Sequence, residues 1–161
     1  MINSTVNLPP PERWSRPLPS DPRARLVELE RERARRAARA NLLAFTLWTK
    51  PDYEINWHHR VAAHYLNEVA YGRIQRLILC MGPRRGKSEL ANRRLPAFAL
   101  GLDPNEQVIA CSYGADLAVD MSRDTKQIIL GSEYHDLFPG TTLNPRHVVA
   151  DDRQAAKNTA D

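Results

Sequence analysis

Arg76-Leu77-Ile78-Leu79-Cys80-Met81-Gly82-Pro83-Arg84-Arg85-Gly86-Lys87-Ser88-Glu89-Leu90 is the stretch on which the fold turns. Residues 76–81 form a short, mostly apolar run closed by Gly82-Pro83, the pattern of a buried parallel strand that ends in a loop. A helix is expected to restart at Ser88 and run to Leu95. Strand, glycine-bearing loop and helix in that order are the context a phosphate-binding loop requires. Backbone N–H groups of such a loop, together with the helix N-terminus, cradle β- and γ-phosphates. Gly86 permits close approach of backbone to phosphate. Lys87 would reach the phosphate oxygens as a point charge, and the Ser88 hydroxyl would ligate Mg²⁺. The candidate nucleotide-binding residues are therefore Gly82, Pro83, Arg84, Arg85, Gly86, Lys87, Ser88 and Glu89. The usual spacing places a glycine five residues before Gly86, where this chain has Met81, so the pattern is a variant. A basic strand-to-helix turn is the alternative reading.

Downstream, Pro96 is expected to kink or break the helix and Gly101 to close the segment. Gln107-Val108-Ile109-Ala110-Cys111 reads as a second buried strand. A third helix follows over residues 114–130, with Leu117, Met121, Ile128 and Ile129 at its apolar positions. Past Phe138-Pro139-Gly140 the pattern weakens, and residues 151–161 form a polar tail. Strand, helix, strand, helix predicts a right-handed parallel α/β unit, a sheet of the P-loop NTPase type with flanking helices, preceded by a helical extension. With only two cysteines, Cys80 and Cys111, there is no disulfide framework and no four-cysteine zinc site. Both read as small buried hydrophobes of a reducing cytoplasm.

Upstream, six of the twelve prolines lie between Pro9 and Pro22, so residues 1–22 read as an extended or disordered arm. Ser20 or Asp21 can cap a helix over residues 23–48, which Lys50-Pro51-Asp52 ends. A second helix is expected over residues 58–71, with Val61, Tyr65, Leu66 and Val69 on one face and Gly72 as its stop. The domain plan is then an arm over 1–22, a basic helix over 23–50, a P-loop-type ATPase part over 51–150 and the tail. The net charge of +4 belongs wholly to residues 1–40, where nine arginines face five acids. Arg31, Arg35 and Arg39 form one helical stripe beside Arg36. It reads either as a contact for DNA phosphates or a protein partner, or as a solvated face offset by Glu28, Glu30 and Glu32. No apolar run approaches the roughly 20 residues of a membrane span, so a soluble intracellular protein is expected.

The stretch quoted above resembles the deviant Walker A region of the large terminase subunit of tailed bacteriophages and prophages. The resemblance continues through Arg93-Arg94-Leu95-Pro96-Ala97, Leu100-Gly101, residues 110–118, Glu133-Tyr134 and Leu137-Phe138-Pro139-Gly140. Upstream it takes in Asn56-Trp57-His58-His59. It covers roughly residues 41–150. It implies a DNA-packaging motor in the host bacterial cytoplasm that uses ATP and Mg²⁺. The partners implied are double-stranded viral DNA, the small terminase subunit, the portal and procapsid, and further copies in a homo-oligomer, with no membrane. By the same resemblance Arg84 or Arg85 would sense the γ-phosphate, and with Lys87 they are the candidate catalytic residues. Trp57, His58 and His59 would lie where related ATPases contact adenine, often with a glutamine that is missing here, ordinary packing at a helix start being the alternative.

A Walker B strand should supply a Mg²⁺ carboxylate, and Val148-Val149-Ala150-Asp151-Asp152 is its sole imitation. The chain is therefore expected to be the front part of such a motor, inactive alone. Two rival readings remain: an interaction module with vestigial nucleotide binding, and an unrelated P-loop enzyme such as a small kinase. Ser112 and Tyr113 fit either a role near nucleotide or DNA or a helix-capping turn.

Overall fold

The computed structural model describes residues 21–143. The chain divides into two compact units, Met1–Arg33 and Ala34–Asp161. Six α-helices are present among the described residues: α1 (Pro22–Ala40), α2 (Leu42–Thr49), α3 (Trp57–Ala70), α4 (Leu95–Leu102), α5 (Ala115–Leu130) and α6 (Ser132–Leu137). A π-helical segment, Glu89–Arg94, runs directly into α4.

No strand or sheet forms among the described residues, which overturns the expected α/β parallel sheet. The two apolar runs expected to be strands are chain without regular structure, and Ile78 and Ile109 stand 89% and 87% exposed. Hydrophobicity alone does not make a strand, because its N–H and C=O groups need a paired neighbour. None of the described residues supplies one. Cys80 and Cys111, expected to be buried, are exposed free thiols for the same reason.

The expected helix over 23–48 is interrupted at Asn41, which takes an extended conformation (φ −141°). Its side-chain oxygen accepts from the Leu43 and Ala44 N–H groups at 2.9 and 3.1 Å and so starts α2 as a new helix. In the first unit, Leu26, Val27 and Leu29 of α1 are exposed. In the second, Arg35 Nε and Arg39 Nη2 donate to the Asp136 carbonyl at the end of α6, at 2.9 and 3.3 Å. Cations at a helix C-terminus complement its unpaired carbonyls.

α3 starts and stops within a residue of expectation, with Gly72 at φ +69° after it. Its buried face differs: His59, Ala62, Ala63, Leu66 and Asn67 point inward, while Val61 and Tyr65 are exposed. Asn67 earns this place by accepting the Leu42 N–H at 3.0 Å, one of the four donors a helix start leaves unpaired.

Pro96 does not break the helix. It sits in the first turn of α4, and the preceding π segment absorbs the register change through a Leu95 N–H to Leu90 C=O bond. The Asn92 carbonyl that a residue at 96 would have capped lies 3.5 Å from the Thr125 hydroxyl of α5. The core is aromatic: Phe45 lies 5.4 Å from Phe98, 6.0 Å from Tyr134 and 6.2 Å from Phe138 between ring centroids. Gly101 lets the Phe138 ring pack where any Cβ would collide with it. Leu42, Leu66, Leu90, Ala97, Ile129 and Leu137 belong to the same cluster.

Phe45 is fully buried and touches three other rings, so Phe45→Ala should destabilise the fold by about 3–5 kcal/mol. Leu26→Ala, at an exposed position, should change it by less than about 0.5 kcal/mol. Urea unfolding of the two variants measures both.

Candidate functional site

The site is the loop at residues 82–88, where the unpaired run over 76–82 turns into the helix that begins at Lys87. Arg84 has φ +56° and Gly86 φ +75°, with Arg85 between them outside the left-handed region. Successive residues of alternating hand curl the main chain so that neighbouring N–H groups converge into an anion-binding concavity. Gly86 accepts its conformation freely, whereas Arg84 carries the strain of a β-carbon in it. Strain held in this way clusters at functional sites.

Arg84, Arg85, Lys87 and Ser88 are exposed, as are Gly82 and Pro83. No carboxylate among the described residues pairs with Arg84, Arg85 or Lys87. The nearest acid in sequence, Glu89, is committed elsewhere. Its carboxylate accepts from Arg93 Nη1 at 3.0 Å and from Arg94 Nε at 2.9 Å. Burial pushes the Glu89 pKa up, but hydrogen bonds from Arg94 and then Arg93 outweigh it and hold the carboxyl below its ordinary 4.5. Arg94, only 7% exposed, also donates to Thr49 Oγ1 at 2.6 Å, and Arg93 pairs with Asp124 at 2.6 Å. The loop therefore keeps three cations while the helix behind it is neutralised internally.

The start of α3 forms the loop's back wall. His59 Nδ1 accepts the Asn56 N–H at 3.1 Å, and its Nε2 lies 3.0 Å from the Arg85 carbonyl oxygen. A Cβ at position 86 would sit 2.6 Å from His59 Nε2 and 2.9 Å from the Tyr53 hydroxyl, so the loop is pressed against both rings. His58 Nε2 is 3.1 Å from His59 Nε2. Burial first, then the neighbouring charges of His59 and Arg85, hold the His58 pKa below its usual 6.5. Trp57 is 77% exposed and meets His58 edge-on, with ring centroids 5.7 Å apart.

The arrangement thus brings His58 to Arg85, with Trp57 beside His58. Tyr53 was not among the candidate site residues, and His59 was read only as part of the segment that would contact adenine. The signal for His59 was its position three residues after the helix-starting Asn56, where a side chain reaches back to the cap N–H. Glu89 faces Arg93 and Arg94 through its carboxylate. Ser112 is half-buried and Tyr113 is 98% exposed. Asp151 and Asp152, the Walker B imitation, lie outside the described residues, as do the arm up to residue 20 and the polar tail.

A separate cavity of about 450 Å³ is lined by Pro96, Leu100, Val108, Ala110, Met121 and Ile129 among others, and no residue of the loop contributes to it. Among the described residues no group of three or more His, Cys, Asp or Glu could hold a metal ion. No described helix is long and apolar enough to cross a membrane. No family model, curated protein or solved structure matches the chain.

Glu89 takes up its proton at lower pH in the folded chain than in the unfolded one. Its stabilising contribution is therefore complete above pH 4.5 and is lost as the pH falls below that value. Glu89→Gln should cost about 1–3 kcal/mol at pH 7, because it leaves the buried Arg94 with a weaker partner. It should also flatten the acid limb of the stability curve, as thermal melts between pH 3 and 7 will show.

Proposed function

We propose that residues 82–88 bind the phosphates of a nucleotide, ATP with Mg²⁺. In this reading Lys87 and at least one of Arg84 and Arg85 supply charge to the phosphate oxygens, and the Ser88 hydroxyl serves as the protein's Mg²⁺ ligand. One observation carries it: a loop of alternating hand, strained at Arg84, holds three cations with no carboxylate partner among the described residues and leads directly into a helix. A non-glycine residue at φ +56° is uncommon, and that strain favours a functional loop over a plain basic turn. Trp57, exposed at the start of α3, offers a face on which the base can stack.

We further propose, on the resemblance of residues 41–150, that this is the ATP-binding part of a terminase-type DNA-packaging motor. Double-stranded DNA, a small terminase subunit and the procapsid would be its partners. The resemblance includes residues 76–81 and 110–111, which form no strand among the described residues, so the loop and the helices around it are what support this reading. The reading as a basic interaction module is weakened by one fact. Arg35 and Arg39, two members of the arginine stripe, donate to the Asp136 carbonyl of the same chain.

Mg-ADP or Mg-ATP should bind, and Lys87→Ala should abolish binding. Gly86→Ala should do the same, because alanine is strained at φ +75° and its Cβ would meet His59 and Tyr53. Isothermal calorimetry that finds equal affinity in wild type and Lys87→Ala would remove the assignment.

A further inference from the structure

His59 has no part in the phosphate chemistry just described, yet it is 6% exposed and its ring lies against the loop's main chain. We propose that His59 is a positioning residue: by holding the Arg85 carbonyl it turns the Arg85–Gly86 peptide so that the Gly86 N–H faces the phosphate. The inference rests on the phosphate-site reading above and adds to it the group that orients the cradle.

The ring's tautomer follows from its partners. A main-chain N–H can only donate, so the Asn56 N–H at 3.1 Å requires an unprotonated Nδ1 on His59. The ring proton is then on Nε2, which lies 3.0 Å from the Arg85 carbonyl oxygen and donates to it. In a planar trans peptide C=O and N–H point in opposite directions. With the Arg85 oxygen drawn toward His59, the Gly86 N–H is turned away from the ring. The close approach of His59 Nε2 and the Tyr53 hydroxyl to residue 86 closes the near side of the loop, so the far side is the one a ligand can reach. His58 Nε2 lies 3.1 Å from His59 Nε2, and His58 also hydrogen-bonds to the Arg85 main chain, so it flanks the same carbonyl from the solvent side.

Without this bond the Arg85–Gly86 peptide keeps only the partly exposed His58 as a hydrogen-bond partner among the described residues. A flip would present a carbonyl oxygen where a phosphate oxygen must sit. Tyr53 does not substitute for His59, since its hydroxyl is buried with no hydrogen-bond partner among the described residues.

The test combines ¹⁵N NMR of the wild-type chain with calorimetry of Mg-ADP and inorganic pyrophosphate binding. Long-range ¹H–¹⁵N spectra should show the His59 proton on Nε2, and the Gly86 amide resonance should shift strongly on addition of either probe. His59→Leu, similar in bulk but unable to donate, should bind both probes about tenfold more weakly, as expected for one misdirected hydrogen bond. His59→Gln, whose amide N–H can reach the Arg85 carbonyl, should recover to within about threefold of wild type. A His59 proton on Nδ1 would overturn the proposal. So would wild-type affinity in His59→Leu when binding still depends on Lys87, and that result would leave the phosphate site standing. If neither probe binds wild type, the phosphate-site reading falls and this inference with it. Should His59→Leu fail to fold, the tautomer and the Gly86 shift in wild type decide the question alone.

Discussion

Everything around the loop depends on one partly buried ionic contact, the Glu89 carboxylate held between Arg93 and Arg94. The three residues belong to one π-helical segment, so the contact forms within a single turn and a half of chain. It reaches outward in two directions: Arg94 to Thr49 of α2 and Arg93 to Asp124 of α5. The helix that follows the loop is thereby tied to two others by polar bonds. Leu90, fully buried in the same segment, adds an apolar tie to the aromatic core. A carboxylate taken out of water costs several kcal/mol unless it is paired and hydrogen-bonded. Glu89 meets that condition, and its lowered pKa is the sign that pairing outweighs burial.

The same contact explains the loop's charge. If the carboxylate of Glu89 turned back toward Lys87 or Arg85, the concavity would already hold an anion. With Glu89 taken up behind the loop, Arg84, Arg85 and Lys87 are left facing solvent. Charge and conformation thus arrive from different sources, the first from where Glu89 goes and the second from Arg84, Gly86 and the wall formed by Tyr53 and His59.

Helix positions were largely legible in the sequence because their signals are local. Gly72 stops α3, Gly114 precedes α5, and Leu42 and Phe45 concentrate the apolar surface of α2. Asn41 carried a local signal too, but it was masked by strong helix formers on both sides. Its capping bonds to Leu43 and Ala44 win because they satisfy donors that a new helix leaves open. The buried face of α3 was misread for another reason: Val61 and Tyr65 are apolar, but the side that meets α2 is chosen by the Asn67 bond to Leu42.

The two apolar runs show where local reading stops. A strand is a relation between segments, and residues 76–81 and 107–111 have composition and length for one without a partner among the described residues. Along the second run Val108 and Ala110 line a cavity with α4 and α5, yet both are exposed, as Ile109 is. The loop at 82–88 escapes this limit because its geometry is set from the side by His59 and from behind by the π-helical segment. Neither support needs a sheet.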